Sequence, residues 1–411
     1  MKINNRIKLV TLTIVIFSCI TNSALTVDIK SVGEVQIQAT AATDFDSNIF
    51  FNENEIDDII IRFRPTATYI KRFGPLIVAA TGGGDFARYI ENGDEDFSNP
   101  ISNINIGMAE DFGLFSLDKR SAGKISFGFD TDISQKTESN EQLQDLVSYT
   151  LYAANFDVRY NHSPKFGASI NYAYNFSDYQ NLSSISKIFT DIESQTIGAD
   201  LYYIYSPKLD FFLAYDHTMY DGRSGNSFYV NNDVSRVRFG AEGTFTPKIK
   251  GQASVGYAFR SFDNAFVNSE DGFIFDASVQ WQFRQKTGLS IGLGRQYVPT
   301  AQDNASISSN YNISLIQKFT KTMTGTIGYN YRVSDYQSYL IDPYTVPEDF
   351  FEQNLQERED TSNGFNIVLD NAFTPHLRGR AIYTYTKLNS GYGDIFSNER
   401  HLLSFSATLS Y

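Results

Sequence analysis

The sequence predicts an all-β fold: a transmembrane antiparallel up-and-down β-barrel of about eighteen strands, with sixteen the nearest alternative. Three observations predict it. First, one turn phrase recurs about every 40 residues in the second half: His162-Ser163-Pro164-Lys165-Phe166, Tyr205-Ser206-Pro207-Lys208-Leu209, Phe245-Thr246-Pro247-Lys248-Ile249 and Phe373-Thr374-Pro375-His376-Leu377. Phe319-Thr320-Lys321-Thr322 is a relative without the proline, and longer, more acidic connections fall midway between the phrases. Second, the segments between turns alternate apolar and polar residues, as strands do when their two faces meet different media. Third, Tyr (26) and Phe (34) are abundant while mean hydropathy is only −0.29. No stretch after residue 24 approaches the ~20 apolar residues of a membrane helix. A soluble chain of 411 residues would divide into domains, but a repeated strand-turn unit makes one architecture, so 25–411 is read as one barrel domain.

Residues 1–24 stand apart as a secretory signal peptide. Lys2, Arg6 and Lys8 precede an apolar run over 9–20, and Thr21 to Ala24 supply small residues for cleavage after Ser23 or Ala24. Removing those three cations takes the net charge from −13 to −16. Cys19 lies in this segment; Ile16-Phe17-Ser18-Cys19 faintly resembles a lipoprotein box, but Phe17 is too bulky for it. The remaining chain has no cysteine and needs no disulfide.

Strands are expected at 32–45, 58–70, 75–90, 99–113, 123–135 and 147–161, then at 166–179, 191–206, 209–222, 232–246, 249–264 and 271–284. Six more are expected at 287–299, 307–319, 322–336, 361–374, 377–390 and 399–411. Over Ile59 to Tyr69 the odd positions are mostly apolar, while Arg62, Arg64, Thr66 and Thr68 share the other face. Over Phe273 to Phe283 the odd positions carry Phe, Ala, Val and Trp against Asp276, Ser278, Gln280 and Gln282. Ile170, Tyr172 and Tyr174 oppose Ser169, Asn171 and Asn175. Gly82-Gly83-Gly84 reads as a bend or a close backbone approach, because it lacks the lysine and helix of a phosphate loop. An unpaired strand edge in hydrocarbon would strand backbone groups, so the sheet has to close. The last strand suits closure: Leu403, Phe405, Ala407, Leu409 and Tyr411 share one face. That pattern, with Phe405, Leu409 and Tyr411 prominent, resembles the C-terminal signal read by barrel-insertion machinery, with Tyr in place of the more usual Phe.

Charge gives the barrel a direction. Lys71-Arg72, Lys119-Arg120, Lys165, Lys208, Lys248, Lys250, Lys286 and Lys321 sit at short turns, placed on the periplasmic side with both termini. Acids crowd the long loops: Glu53, Glu55, Asp57 and Asp58; Glu91, Asp94, Glu95 and Asp96; Glu348, Asp349, Glu352, Glu357, Glu359 and Asp360. The acidic face is expected outside, either bridged to lipopolysaccharide by divalent cations or simply solvated. The partners expected are outer-membrane lipid and lipopolysaccharide, with no nucleic acid, and the location is the outer membrane of a Gram-negative cell.

No catalytic arrangement stands out. His162, His217, His376 and His401 are scattered, and neither a nucleophile triad, metal-ligand spacing nor a phosphate loop is present; no enzyme activity, metal or cofactor is expected. Function is therefore sought in the lumen, which is wide enough for water in barrels of this size. Inward positions on the alternation are Arg62, Arg64, Arg159, Arg236, Arg238, Arg260, Arg332 and Arg380, with Asp130, Asp132, Asp157, Asp200, Asp210, Asp276 and Asp370. Such residues either line a pathway or form ion-pair ladders that stiffen the wall. Arg295 fits neither face, since its parity matches Leu293; it requires a bulge or a rim position. The longest loop, 337–360, with Asp342, Tyr344, Glu348, Phe350 and Phe351, is the candidate constriction or a mobile acidic lid.

Three phrases also carry a family resemblance: Thr43-Asp44-Phe45-Asp46-Ser47-Asn48-Ile49-Phe50, Arg62-Phe63-Arg64-Pro65-Thr66-Ala67-Thr68-Tyr69 and Gly84-Asp85-Phe86-Ala87-Arg88-Tyr89. Their order resembles the putative β-barrel porin type 2 family over essentially the whole chain after the signal. The resemblance implies an outer-membrane conduit associated with exopolysaccharide or capsule export, with periplasmic export components as partners and no catalytic residues. A charge of −16 opposes passage of a polyanion unless the polymer is neutral or divalent cations screen the mouth. A general or solute-specific diffusion porin, or a structural or adhesive barrel with a closed lumen, would share these sequence features.

Overall fold

A computed structural model describes residues 27–29, 33–108, 125–140, 145–180, 191–223, 231–263, 269–298, 306–336, 358–391 and 397–411. Eighteen strands form the wall: β1 Gly33–Asp46, β2 Asp58–Phe73, β3 Leu76–Tyr89, β4 Phe97–Met108, β5 Ile125–Asn140 and β6 Asp145–Tyr160. They continue as β7 Phe166–Tyr179, β8 Ile192–Ser206, β9 Leu209–Gly222, β10 Asn232–Thr246, β11 Ile249–Phe262 and β12 Glu270–Arg284. The last six are β13 Thr287–Val298, β14 Ser306–Lys318, β15 Met323–Tyr336, β16 Arg358–Ala372, β17 Leu377–Ser390 and β18 Asn398–Ser410. A short segment, Val27–Ile29, pairs back onto the start of β1. Every strand is antiparallel to its sequence neighbours, and β18 closes onto β1 from Leu402↔Asp46 to Ser410↔Gln38. Tyr411 extends the seam, exchanging backbone hydrogen bonds of 2.9 and 2.8 Å with Ile37. Closure leaves no edge for hydrocarbon to meet.

The two faces separate as alternation requires. Phe63, Ile170, Leu201, Phe239, Phe259, Phe273 and Phe405 stand exposed on the outside, while their sequence neighbours turn inward. Strands of 12–16 residues exceed the ~9–11 needed to cross the hydrocarbon, so several hairpins continue beyond it.

The recurring phrase has one mechanism. The Ser or Thr hydroxyl accepts the backbone N–H two residues on: Lys165 onto Ser163 (3.2 Å), Lys208 onto Ser206 (3.2 Å), Lys248 onto Thr246 (3.3 Å) and His376 onto Thr374 (3.2 Å). Thr320 accepts from Thr322 and Met323 at 3.2 and 2.9 Å without any proline, so the hydroxyl carries the turn and Pro only presets φ. Register shifts beside the turns at Leu209/Asp210 and Thr244/Thr246 absorb the extra residue.

Several expectations need correction. Glu359 and Asp360 are not loop acids: β16 begins at Arg358, and Asp360 is buried, bound by Arg358 at 2.5 Å and by the Ser390 hydroxyl. Asp58 is also buried, its carboxylate accepting the amides of Ile90, Glu91 and Asn92 at 2.9–3.2 Å, so it fastens a loop rather than solvating one. Gly83 meets the expectation of a close approach: a Cβ there would stand 2.3 Å from the Pro65 carbonyl oxygen. The signal segment, with Cys19, the 113–122 connection and the lysine-arginine pair at 119–120 lie outside the described residues.

Candidate functional site

Sequence parity placed a set of arginines and aspartates on one side of the wall, and the structure puts them on the inner face, mostly paired. Arg62 reaches Asp44 (3.1 Å) on β1, Arg64 pairs with Asp85 on β3, and Arg380 reaches Asp370 (3.4 Å) on β16. Asp130 accepts from Asn155 (3.0 Å), and Asp200 from Ser169 (2.7 Å) and Tyr202 (3.1 Å). Asp132 lies beside Asp130 on the same face of β5, with its Oδ1 buried. Asp157 lies opposite Gly128, where a Cβ would stand 2.6 Å from its Oδ1. Arg332 is half-buried between Asn310 and Ser362 in register.

Between these charges the wall is neutral and polar, through a cross-strand device. Asn171 lies opposite Gly198, Asn312 opposite Gly292, Asn366 opposite Gly328 and Asn330 opposite Gly364. In each pair the asparagine lies flat over its glycine: a Cβ at Gly364 would sit 2.0 Å from Asn330 Oδ1, and one at Gly292 would sit 2.3 Å from Asn312 Nδ2. Removing one side chain makes room for the other, which keeps amides on the lumenal surface without narrowing it.

Near the short turns, one arginine crosses the wall. Arg159 on β6 reaches Asp210 (2.7 Å) on β9 and Glu242 (3.3 Å) on β10, passing β7 and β8. Tyr202 lies under its guanidinium at 3.9 Å, and Asn161 accepts its Nε–H at 3.2 Å. Asp210 is wholly buried. Breaking such a buried pair by removing one partner costs about 3–5 kcal/mol.

At the opposite mouth, the inward element is one the sequence reading did not single out. The connection from β1 to β2, residues 47–57, folds into the barrel. Ile49, 1% exposed, packs with Ile60, Ala87, Tyr89 and Leu146, and Phe51 is also buried. Asn48 organises the fold: its Nδ2 donates to Asn52 O (2.7 Å) and Glu399 O (3.2 Å), and its Oδ1 accepts Asn52 N (3.0 Å). Ile49 N bonds Ile56 O at 2.9 Å, and Phe51 and Glu55 adopt φ of 53° and 47°, uncommon for residues with side chains. Arg400 on β18 anchors the segment from the seam, donating to both oxygens of Asp46 and on to the Ser139 hydroxyl of β5. The signals were present in sequence as the Asp46-Ser47-Asn48-Ile49-Phe50 phrase and as Ile60, an apolar residue on an otherwise polar face. The residues of the loop read as a constriction or an acidic lid, Asp342, Tyr344, Glu348, Phe350 and Phe351, lie outside the described residues.

A second inward cluster covers strands β9 to β13: Tyr220, Val234, Ala258, Ile274 and Tyr297. Arg260, 2% exposed, is stacked between the rings of Phe262 (4.9 Å) and Tyr297 (5.3 Å) and donates to Asn232 at 3.0 Å. Beside it opens a cavity of about 500 Å³, bounded by Asp216, Arg236, Arg238, Asp276 and Arg295. Asp216 is shared, Arg236 binding Oδ2 and Arg238 binding Oδ1 at 2.7 Å. Arg295, which fitted neither face by parity, is the last residue of β13 in register with β12, facing Phe275. Beyond it β13 pairs only with β14, so Arg295 stands at the end of the β12–β13 ladder, in unbroken register and with no bulge at its position.

Charge also acts in the loop between β3 and β4. The Arg88 guanidinium at 2.5 Å and the Tyr89 amide hold the Asp96 carboxyl below the usual carboxylate range. Burial, with Asp145 and Asp94 nearby, pushes Glu95 up. Among the described residues no group of three His, Cys, Asp or Glu is placed to hold a metal ion.

On the outside, Phe405 is half-exposed and Leu409 lies in register with Leu377, while Tyr411 stacks on His376 with ring centroids 5.2 Å apart.

No curated protein sequence matches the chain. Among solved structures, the barrel is similar to the outer membrane protein OpdK of Pseudomonas aeruginosa, at 9% identity and a TM-score of 0.48 over 92% of this chain and 99% of that one. A structure of OpdK with vanillate gives 9% and 0.49 over the same shares. OccAB4 of Acinetobacter baumannii gives 11% and 0.46 over 92% and 98%. A sequence profile matches residues 34–404, from β1 into β18, and the chain therefore belongs to the putative beta-barrel porin 2 family, as a porin-like outer-membrane β-barrel channel.

Proposed function

We propose that this channel is a passive conduit for a hydroxyl-rich polymer, exported polysaccharide. The observation that carries the reading is the lumenal wall. Most of its charges are neutralised by partners in the same wall, and the surface between them is lined by asparagine amides, serines and threonines. A chain of hydroxyls can exchange hydrogen bonds with such a surface step by step. Unpaired charges would instead hold a permeant at fixed points, and conduction requires binding weak enough to leave. The family resemblance points the same way. Periplasmic export components would then meet the face that carries the short turns, the start of β1 and the end of β18.

Deletion of the gene, with quantification of extracellular polymer and of small-solute uptake, tests this. The expected result is loss of secreted polymer, restored by the full chain. Normal polymer with lost uptake of a small solute would replace export by a diffusion porin.

A further inference from the structure

The cavity beside β10 and β12–β14 gathers several lumenal charges that are not fully paired. Five charged residues line it, Arg236, Arg238 and Arg295 against Asp216 and Asp276. Both oxygens of Asp216 are taken by Arg236 and Arg238, and Asp276 Oδ1 accepts from Gln252 at 3.1 Å. Arg295 has no carboxylate within salt-bridge distance among the described residues, and the Nε–H groups of Arg238 and Arg295 are buried without an acceptor. Buried donors without partners are rare in native structures, and each costs free energy unless something accepts from it. The same cavity presents the amides of Asn310 and Asn312 and the hydroxyls of Ser278 and Ser290. Its volume of about 500 Å³ falls within the roughly 300–1,000 Å³ of small-molecule sites.

From this we infer a binding subsite for a carboxylated sugar. Its carboxylate is held by Arg295 and Arg238, and its hydroxyls by Asn310, Asn312 and the serines. Arg295 is the specificity-determining residue, because no carboxylate among the described residues pairs with it; Arg236 and Asp216 position Arg238. The inference rests on the conduit reading and narrows it: the polymer that passes carries carboxylates, and this site draws them past an acidic mouth. Charge-assisted hydrogen bonds to a guanidinium are the stronger kind, and a recessed one is only partly screened by salt.

The test is a blocking experiment on the purified full-length barrel in a planar bilayer, with glucuronate as probe and glucose and acetate as controls. Glucuronate should interrupt the current at concentrations where glucose and acetate do not. Arg295→Gln should weaken the block by roughly tenfold or more, and Arg295→Lys by less. Equal block by glucose, or an Arg295→Gln channel blocked like the wild type, would overturn the charge assignment. Equal block by acetate would overturn the sugar assignment. If no current flows at all, the conduit reading fails instead, and calorimetric titration of glucuronate into the detergent-solubilised barrel still decides the site. Heat that disappears in Arg295→Gln supports it, and absence of heat with the wild type overturns it.

Discussion

Replacing Arg400 by Met should release the segment 47–57 from the mouth of the barrel. Arg400 is the cation against Asp46, whose side chain has no exposure, and it also ties Ser139 of β5 to the seam. The substitution keeps most of the side chain's length and apolar stem but leaves a buried carboxylate with, among the described residues, the Asn48 amide at 3.1 Å as its remaining hydrogen-bond donor. Leaving such a charge unpaired costs about 3–5 kcal/mol, and at about 1.4 kcal/mol per decade that is roughly 100- to 3,000-fold in the closed-to-open ratio of the segment. The barrel itself stays folded, because its wall bonds do not pass through Arg400's side chain. Hydrogen exchange reads the change directly: the Ile49 amide, bonded to Ile56 O, should lose about two to three decades of protection, while amides in β10–β12 keep theirs. The double variant Arg400→Met with Asp46→Asn removes the stranded charge and should recover a large part of the protection. Protection of Ile49 within about threefold of the wild type in the single variant would show that Arg400 does not hold the segment.

Other substitutions test other levels of the structure. Phe405→Arg puts a cation on the lipid face and should cost about 2–4 kcal/mol if Phe405 lies near the midplane, read as a lower urea midpoint for folding into vesicles; an unchanged midpoint would refute the outward assignment. Thr374→Ala removes the acceptor of two turn amides and should cost about 1 kcal/mol in the same assay, more than Pro375→Ala; the reverse order would refute the hydroxyl mechanism. Asp96 has a folded-state pKa below its unfolded one, so its contribution is complete above the ordinary carboxylate range and lost as pH falls through the lowered value. Exchange at the Tyr89 amide, corrected for intrinsic rate, should therefore quicken under acid and stay fast in Asp96→Asn at neutral pH; a pH-independent protection factor in the wild type would contradict this.

The wall was legible in the sequence because lipid and water impose opposite demands on successive residues, and no other constraint interferes in mid-strand. Phe273 and Trp281 against Asp276 could be read without a structure, and so could the count of eighteen strands. The limits of strands were less legible where charges are compensated locally. Arg358-Glu359-Asp360 looks like loop, yet Arg358 and Asp360 share one face two residues apart, neutralise each other, and Arg358 stacks on Tyr336 at 4.7 Å. The mouth was least legible. Alternation marks which side of the wall a residue takes, not what folds against it, so nothing in the pattern showed that Ile60 is the floor for Ile49. Long-range partners such as Arg159 with Glu242, or Arg400 with Ser139, depend on curvature that no local pattern records. The Asp-x-Asn-Ile-aromatic phrase was recognisable as a family mark before its role in folding the mouth segment was visible.

The most direct test of the account is single-channel recording from the purified full-length barrel, wild type beside Arg400→Met. An open lumen restricted at its mouth by residues 47–57 predicts discrete current steps for the wild type and larger ones for the variant. A bilayer that stays sealed with both proteins, although each is shown to be folded and inserted, would contradict the conduit.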